Sequence, residues 1–165
     1  LEDSEENLNI AIAPGHVIFN MGETLLFSRL LEGQFLNYKD IIRKDHKTTV
    51  LVNKKEFQDS LERASLLANE AKTNLIKLNI REDKIKIKSN SEIGNVNDEV
   101  YSKQNGDELD IAFNSRYILD GVRIIEAEEI ELSFMGGLNP CIIKPVGDEN
   151  YTYLALPVRL AREDY

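Results

Sequence analysis

One pattern occurs twice in this sequence, and it narrows the possible folds more than any other feature. At a constant spacing of 61, Asn53 aligns with Asn114, Lys55 with Arg116, Phe57 with Ile118, Asp59 with Asp120 and Leu61 with Val122. Each copy begins with a short β-branched strand, Thr49–Val52 or Leu109–Phe113, that runs into an asparagine suited to capping a helix. The helices are expected from Asn53 to about Asn69 and over Ser115–Ile125. Three strands follow each helix: Leu75–Ile80, Lys84–Lys88 and one near Glu99–Ser102 in the first copy, and Ile130–Phe134, Cys141–Lys144 and Tyr151–Val158 in the second. The expected fold class is therefore α+β: a strand–helix–three-strand unit repeated twice, with helices on one face of antiparallel sheets. Two unrelated halves that share only their cap chemistry are the alternative.

Ahead of the repeat, alternation marks three more strands at Leu8–Ile12, Val17–Met21 and Leu25–Leu30, with "APGH" and "GE" as turns. At 165 residues the chain holds one domain or one domain plus a piece of another. A start that enters a strand pattern almost at once is expected of a piece of a longer protein. The division expected is 1–46 for the leading strands and connector, 47–160 for the repeat and 161–165 for a tail. No apolar run approaches the roughly 18 residues that span a bilayer. The lone cysteine, Cys141, rules out an intrachain disulfide and favours a reducing, cytoplasmic location. A net charge of −9 is the wrong sign for a protein that holds nucleic acid by gripping phosphates.

The residues offer little to catalysis. His16 and His46 stand alone, without carboxylates or thiols at ligand spacing. Cys141, behind Pro140, suits a buried strand position, and Gly136–Gly137 sits between strands as a turn, not in a strand-to-helix phosphate cradle. No catalytic residue, metal ligand or cofactor is expected. A small α+β enzyme is the weakest reading.

The helices carry more. Wound at 3.6 residues per turn, Phe57, Leu61, Ala64 and Ala68 share one face of the first, and Ile118, Val122 and Ile125 share one face of the second. Leu66 lands opposite, among charges, where it is either an ordinary exposed leucine or a contact to another subunit. Arg116 and Arg123 project together, as a solvated face or as one passing near DNA phosphates. The near-terminal "YLALPVRL" places a proline in an apolar strand. Pro157 cannot donate to a ladder, so the segment is a sheet edge or leaves the sheet there, and Leu156, Val158 and Leu160 need some other cover.

Three motifs in order, "SRLLEGQFLNY" at 28–38, "FNSRYILD" at 113–120 and "YLALPVRL" at 153–160, resemble the bacterial DNA polymerase III beta subunit family, the sliding clamps. The resemblance implies a non-enzymatic processivity factor. Three repeat-built domains make one subunit, two subunits close head to tail around duplex DNA, and polymerase subunits and the clamp loader dock by short peptides with glutamine and apolar anchors. This chain is similar to the third domain preceded by the last strands of the second. The resemblance assigns the peptide pocket to Leu36, Ile41, Asn114, Tyr117, Leu138, Leu154, Leu156, Pro157, Val158, Arg159 and Leu160. It assigns the subunit interface to Leu66, Leu67, Glu92 and Asp98, and a DNA-facing side to Arg116 and Arg123. A ring that encloses DNA reconciles an acidic protein with a nucleic-acid partner. Three departures stand out: Leu36 where the family often has proline, Lys72 at a rim position often apolar or aromatic, and the tail "AREDY". The rival function is a stand-alone peptide-binding adaptor that does not encircle DNA.

Overall fold

The computed structural model describes residues 7–35, 37, 38, 42 and 45–159 and divides into two compact units, 1–38 and 39–165. In the first, β1 (Asn9–Ala13), β2 (His16–Met21) and β3 (Thr24–Arg29) form an antiparallel meander. Its two-residue turns place Gly15 and Gly22 at φ 77° and 73°, a region that costs glycine nothing. Both faces of this sheet are apolar. Ile10, Phe19 and Leu26 stand in register on one, and Ala11, Ile18 and Phe27 on the other. Every residue of β1 and β3 is exposed, so this unit has no core of its own among the described residues.

In the second unit the repeat takes form as β4 (Thr48–Asn53), α1 (Lys54–Glu70), β5 (Leu75–Arg81), β6 (Lys84–Ser91) and β7 (Gly94–Gly106). The second copy is β8 (Leu109–Asn114), α2 (Ser115–Arg123), β9 (Glu129–Phe134), β10 (Cys141–Pro145) and β11 (Tyr153–Ala155). The strands make one antiparallel sheet in the order β11-β10-β9-β4-β7-β6-β5-β8. Each copy opens with the same cap. Asn53 Oδ1 accepts from the Glu56 amide at 3.0 Å, and Asn114 Oδ1 accepts from the Arg116 amide at 3.0 Å. Both asparagines keep extended backbone, as an N-cap requires.

The helices cover one face of the sheet, α1 against β4–β7 and α2 against β8 and β11. Phe57, Leu61, Ala64, Ala68, Ile118, Val122 and Ile125 all lie in the core beneath them. Where α1 and α2 touch, the chain uses small polar residues. The buried Ser115 and Ser65 hydroxyls meet at 3.2 Å. The opposite sheet face is polar, with Lys84 and Lys86 bridged by Glu99 at 3.0 and 3.2 Å.

β7 is the long strand of the molecule. Its first half pairs with β6 as far as Tyr101, and from Ser102 it pairs with β4. Between Gly94 and Tyr101 its other edge is therefore open among the described residues.

The expected strand Tyr151–Val158 is corrected: β11 spans only Tyr153–Ala155, paired with β10. Pro157 supplies no donor, and the chain leaves the ladder before it. It then crosses the gap between the two ends of the strand order. The Val158 amide donates to the Ala112 carbonyl of β8 at 2.8 Å.

Candidate functional site

Residues 156–159 form a strap that lies along the end of β8. The hydrogen bond from Val158 fixes it opposite Ala112, two residues before Asn114 and the first turn of α2. The strap is not core. Leu156 is 66% exposed and Val158 39%, Arg159 is exposed and Pro157 half-buried, yet Ala155, one residue earlier, is 2% exposed. Apolar side chains held rigidly in solvent beside a helix start are the geometry of a binding surface.

β11 is held against α2 by aromatic contacts. The Tyr151 hydroxyl donates to the Gly121 carbonyl at 2.7 Å, and the Tyr153 ring lies so close to the Gly121 Cα that a Cβ there would clash with it. A glycine inside a helix costs about 1 kcal/mol relative to alanine; here it makes room for the ring. Burial first, then Asp120 and Tyr117, push the Tyr153 hydroxyl above its ordinary range. Tyr117, 59% exposed, thus shares the neighbourhood of β11 and the strap.

Two loops reach β8, one at its end beside Asn114 and one near its start at Asp110. The turn after α1 is fixed by the Ser115 amide, which donates to the Asn74 carbonyl at 2.7 Å, and by the pairing of Leu75 with Asn114. Lys72 and Asn74 in this turn hold left-handed φ of 57° and 52°, a conformation side chains other than glycine and asparagine rarely take. On the other side Gly137 packs on the Asp110 carbonyl, where a Cβ would approach to 2.6 Å, and it carries Leu138, 64% exposed. Asn114, Tyr117, Leu138, Leu154, Leu156, Pro157, Val158 and Arg159 therefore all stand on β8, α2, β11 or segments fastened to them. Leu36, Ile41 and Leu160 lie outside the described residues.

The residues expected at a subunit interface are placed differently. Leu66 is 72% exposed and Leu67 half-buried. Glu92 is exposed in the β6–β7 turn. Asp98 faces α1, where Arg63 Nε donates to it at 2.8 Å. Burial raises the Asp98 carboxyl, but the hydrogen bonds and charge around it, those from Arg63 foremost, together hold the group below its usual range.

Of the two arginines expected to face DNA, Arg123 pairs with Glu62 across the helices at 3.1 Å. Gln58 and then Arg123 hold the Glu62 carboxyl low. Arg116 is exposed and forms no ion pair among the described residues. Leu66 and Arg123 also line one open groove of about 480 Å³ between α1 and α2, with Asp59, Glu62 and Leu119. Sequence reasoning separated these two residues and missed Glu62, whose reach depends on how the helices pack. Among the described residues no cluster of three or more His, Cys, Asp or Glu could hold a metal, and no helix is long and apolar enough to cross a membrane.

A twice-stated β-α-β-β-β unit, helices on one face, and a strap closing the strand order together define the α+β clamp fold. The sequence profile of the DNA polymerase III beta subunit, C-terminal domain, matches residues 39–159. The beta sliding clamp of Bacillus subtilis strain 168 is 41% identical over 162 residues, covering 96% of this chain and 43% of that protein. Those of Staphylococcus aureus are 37% identical over 161 residues, with the same coverage. Among solved structures, the Bacillus subtilis DNA polymerase sliding clamp superposes with a TM-score of 0.81 at 40% identity, over 98% of this chain and 43% of that one. The Thermotoga maritima DNA polymerase III beta subunit does so with 0.80 at 32%, over 96% and 43%. The chain belongs to the DNA polymerase III beta subunit family. It spans 43% of the length of the relatives cited here.

Proposed function

We propose that this chain acts as part of a sliding clamp, a processivity factor for DNA polymerase that works mechanically and carries out no catalysis. The observation that carries the reading is the strap. A sequence that buries Ala155 and then exposes Leu156 and Val158, on backbone tied to β8, leaves apolar residues that the described chain does not cover and a partner can. The pocket proposed is Leu154, Leu156, Pro157, Val158 and Arg159 with Asn114, Tyr117 and Leu138. Its occupant is a short peptide with glutamine and apolar anchors, from polymerase subunits or the clamp loader. Asn114 and Arg159 supply polar partners and the leucines supply area.

The head-to-tail subunit contact is assigned to Leu66 and Leu67 together with Glu92, Asp98 and the open edge of β7 from Gly94 to Tyr101. An open strand edge beside an exposed leucine supports pairing with another chain; a monomeric adaptor has use for neither. The paired helix face, with Arg116 and Arg123, is assigned to the side that passes the enclosed duplex. Titration of a labelled clamp-binding peptide into this chain, and into a longer protein in which the leading domain is complete, tests the reading. Saturable binding lost on truncating the strap side chains supports it. Absence of binding to both proteins sinks it.

A further inference from the structure

Five cations of the molecule are neutralised in place among the described residues: Arg63 by Asp98, Arg81 by Glu108 and Asp110, Lys84 and Lys86 by Glu99, Arg123 by Glu62. Around the strap, Lys72, Arg116 and Arg159 are all exposed, and among the described residues none of them forms an ion pair. Three anchors converge there: Ser115 to Asn74 for the turn bearing Lys72, the Asn114 cap for Arg116, and Val158 to Ala112 for Arg159. Glu70 and Asp120, the carboxylates closest in sequence to Lys72 and Arg116, do not pair with them among the described residues. Asp120 instead lies near the Tyr153 hydroxyl. In a chain of net charge −9, three exposed cations gathered around an exposed apolar strap offer positive charge where a partner would dock.

We infer that the strap's peptide partners carry acidic residues flanking their apolar anchors, and that Lys72 is a specificity-determining residue for them. The inference rests on the pocket reading above. Lys72 sits exposed in a left-handed turn position just beyond α1, and among the described residues it forms no ion pair. Exposed pairs of this kind contribute a factor of a few each and weaken with salt. They act on encounter rate and on choice of partner more than on affinity.

The test uses three labelled peptides with identical glutamine and apolar anchors, flanked by three aspartates, three serines or three lysines. Each is titrated into this chain at low and at high salt. At about 50 mM salt the aspartate peptide should bind at least about threefold tighter than the serine peptide and the lysine peptide weaker, and the spread should close to within about twofold at roughly 0.5 M. In Lys72→Glu the ratio of aspartate to serine affinity should fall to one or below, and in Lys72→Ser it should be intermediate. Equal affinity for all three peptides at low salt overturns the inference while leaving the pocket intact. An unchanged ratio in both variants removes Lys72 as the determinant and overturns it as well. Failure of every peptide to bind, in this chain and in the longer protein described above, overturns the pocket reading beneath it.

Discussion

Two leucines five residues apart on one helix carry opposite consequences. Leu61 is fully buried and Leu66 is 72% exposed. Cutting Leu61 to alanine removes buried methyl groups and leaves a cavity, so Leu61→Ala should destabilise the fold by about 2–5 kcal/mol. Leu66→Lys changes only what solvent sees and should stay within about 0.5 kcal/mol. Denaturant melts of the two variants check this, and a large loss in Leu66→Lys would mean that Leu66 is covered within the chain. Gly121 makes a second prediction at this scale. A methyl at Gly121 would displace the Tyr153 ring, so Gly121→Ala should cost about 1–3 kcal/mol despite alanine's better helix propensity. Because Tyr153 begins β11, the same variant should weaken peptide binding at the strap. A gain in melting temperature would show that the ring has room to move. Cys141 completes the scale: burial pushes its thiol up, which leaves it inert in the folded chain.

At the scale of elements, the two copies of the repeat explain why the strap exists. In the first copy β7 pairs with β6 and then continues onto β4, the strand that opened its own copy. In the second, β11 pairs with β10, and the chain then meets β8, again the opening strand, through the bond from Val158 to Ala112. Pro157 stands at the handover, which in the first copy falls at Tyr101–Ser102. A break in an internal symmetry thus frees the side chains that the unbroken strand would have committed to a sheet. The sequence showed this in part. Alternation, the two asparagine caps and Pro157 are local signals, so the helices, the strand sequence and the departure from the sheet near Pro157 were legible. The sheet order was not, nor was the gap-spanning bond, because both depend on pairings far apart in the chain. The neutralisation of Arg123 by Glu62, 61 residues away, was hidden for the same reason. A paired variant, Leu156→Ala with Val158→Ala, separates surface from core. Peptide affinity should fall about tenfold or more, as expected when roughly 1.5–3 kcal/mol of apolar contact is lost. The melting temperature should stay within a few degrees. A large thermal shift with binding retained would make the strap an ordinary packed segment.

For the whole molecule, charge and topology set a joint expectation about DNA. A protein that grips duplex by phosphate contacts releases counterions and needs a basic face. This chain carries −9 overall, and on its helix face Arg123 and Arg63 are already paired with Glu62 and Asp98. A clamp needs little such affinity, because a closed ring is held by enclosure, and the balanced charges on that face would let duplex pass without a sequence-specific hold. The chain alone, at 43% of the length of its relatives, should therefore show no measurable binding to short linear duplex at about 150 mM salt, and replacing Arg116 and Arg123 with alanine should change nothing in that assay. In a protein of the relatives' full length, Leu66→Lys should turn dimer into monomer in sedimentation and abolish retention on circular DNA, with peptide binding at the strap intact. Sub-micromolar mobility shifts of linear duplex by this chain would replace enclosure with direct grip. A Leu66→Lys protein that still sediments as a dimer would move the subunit contact off α1 and leave the open edge of β7 to carry it.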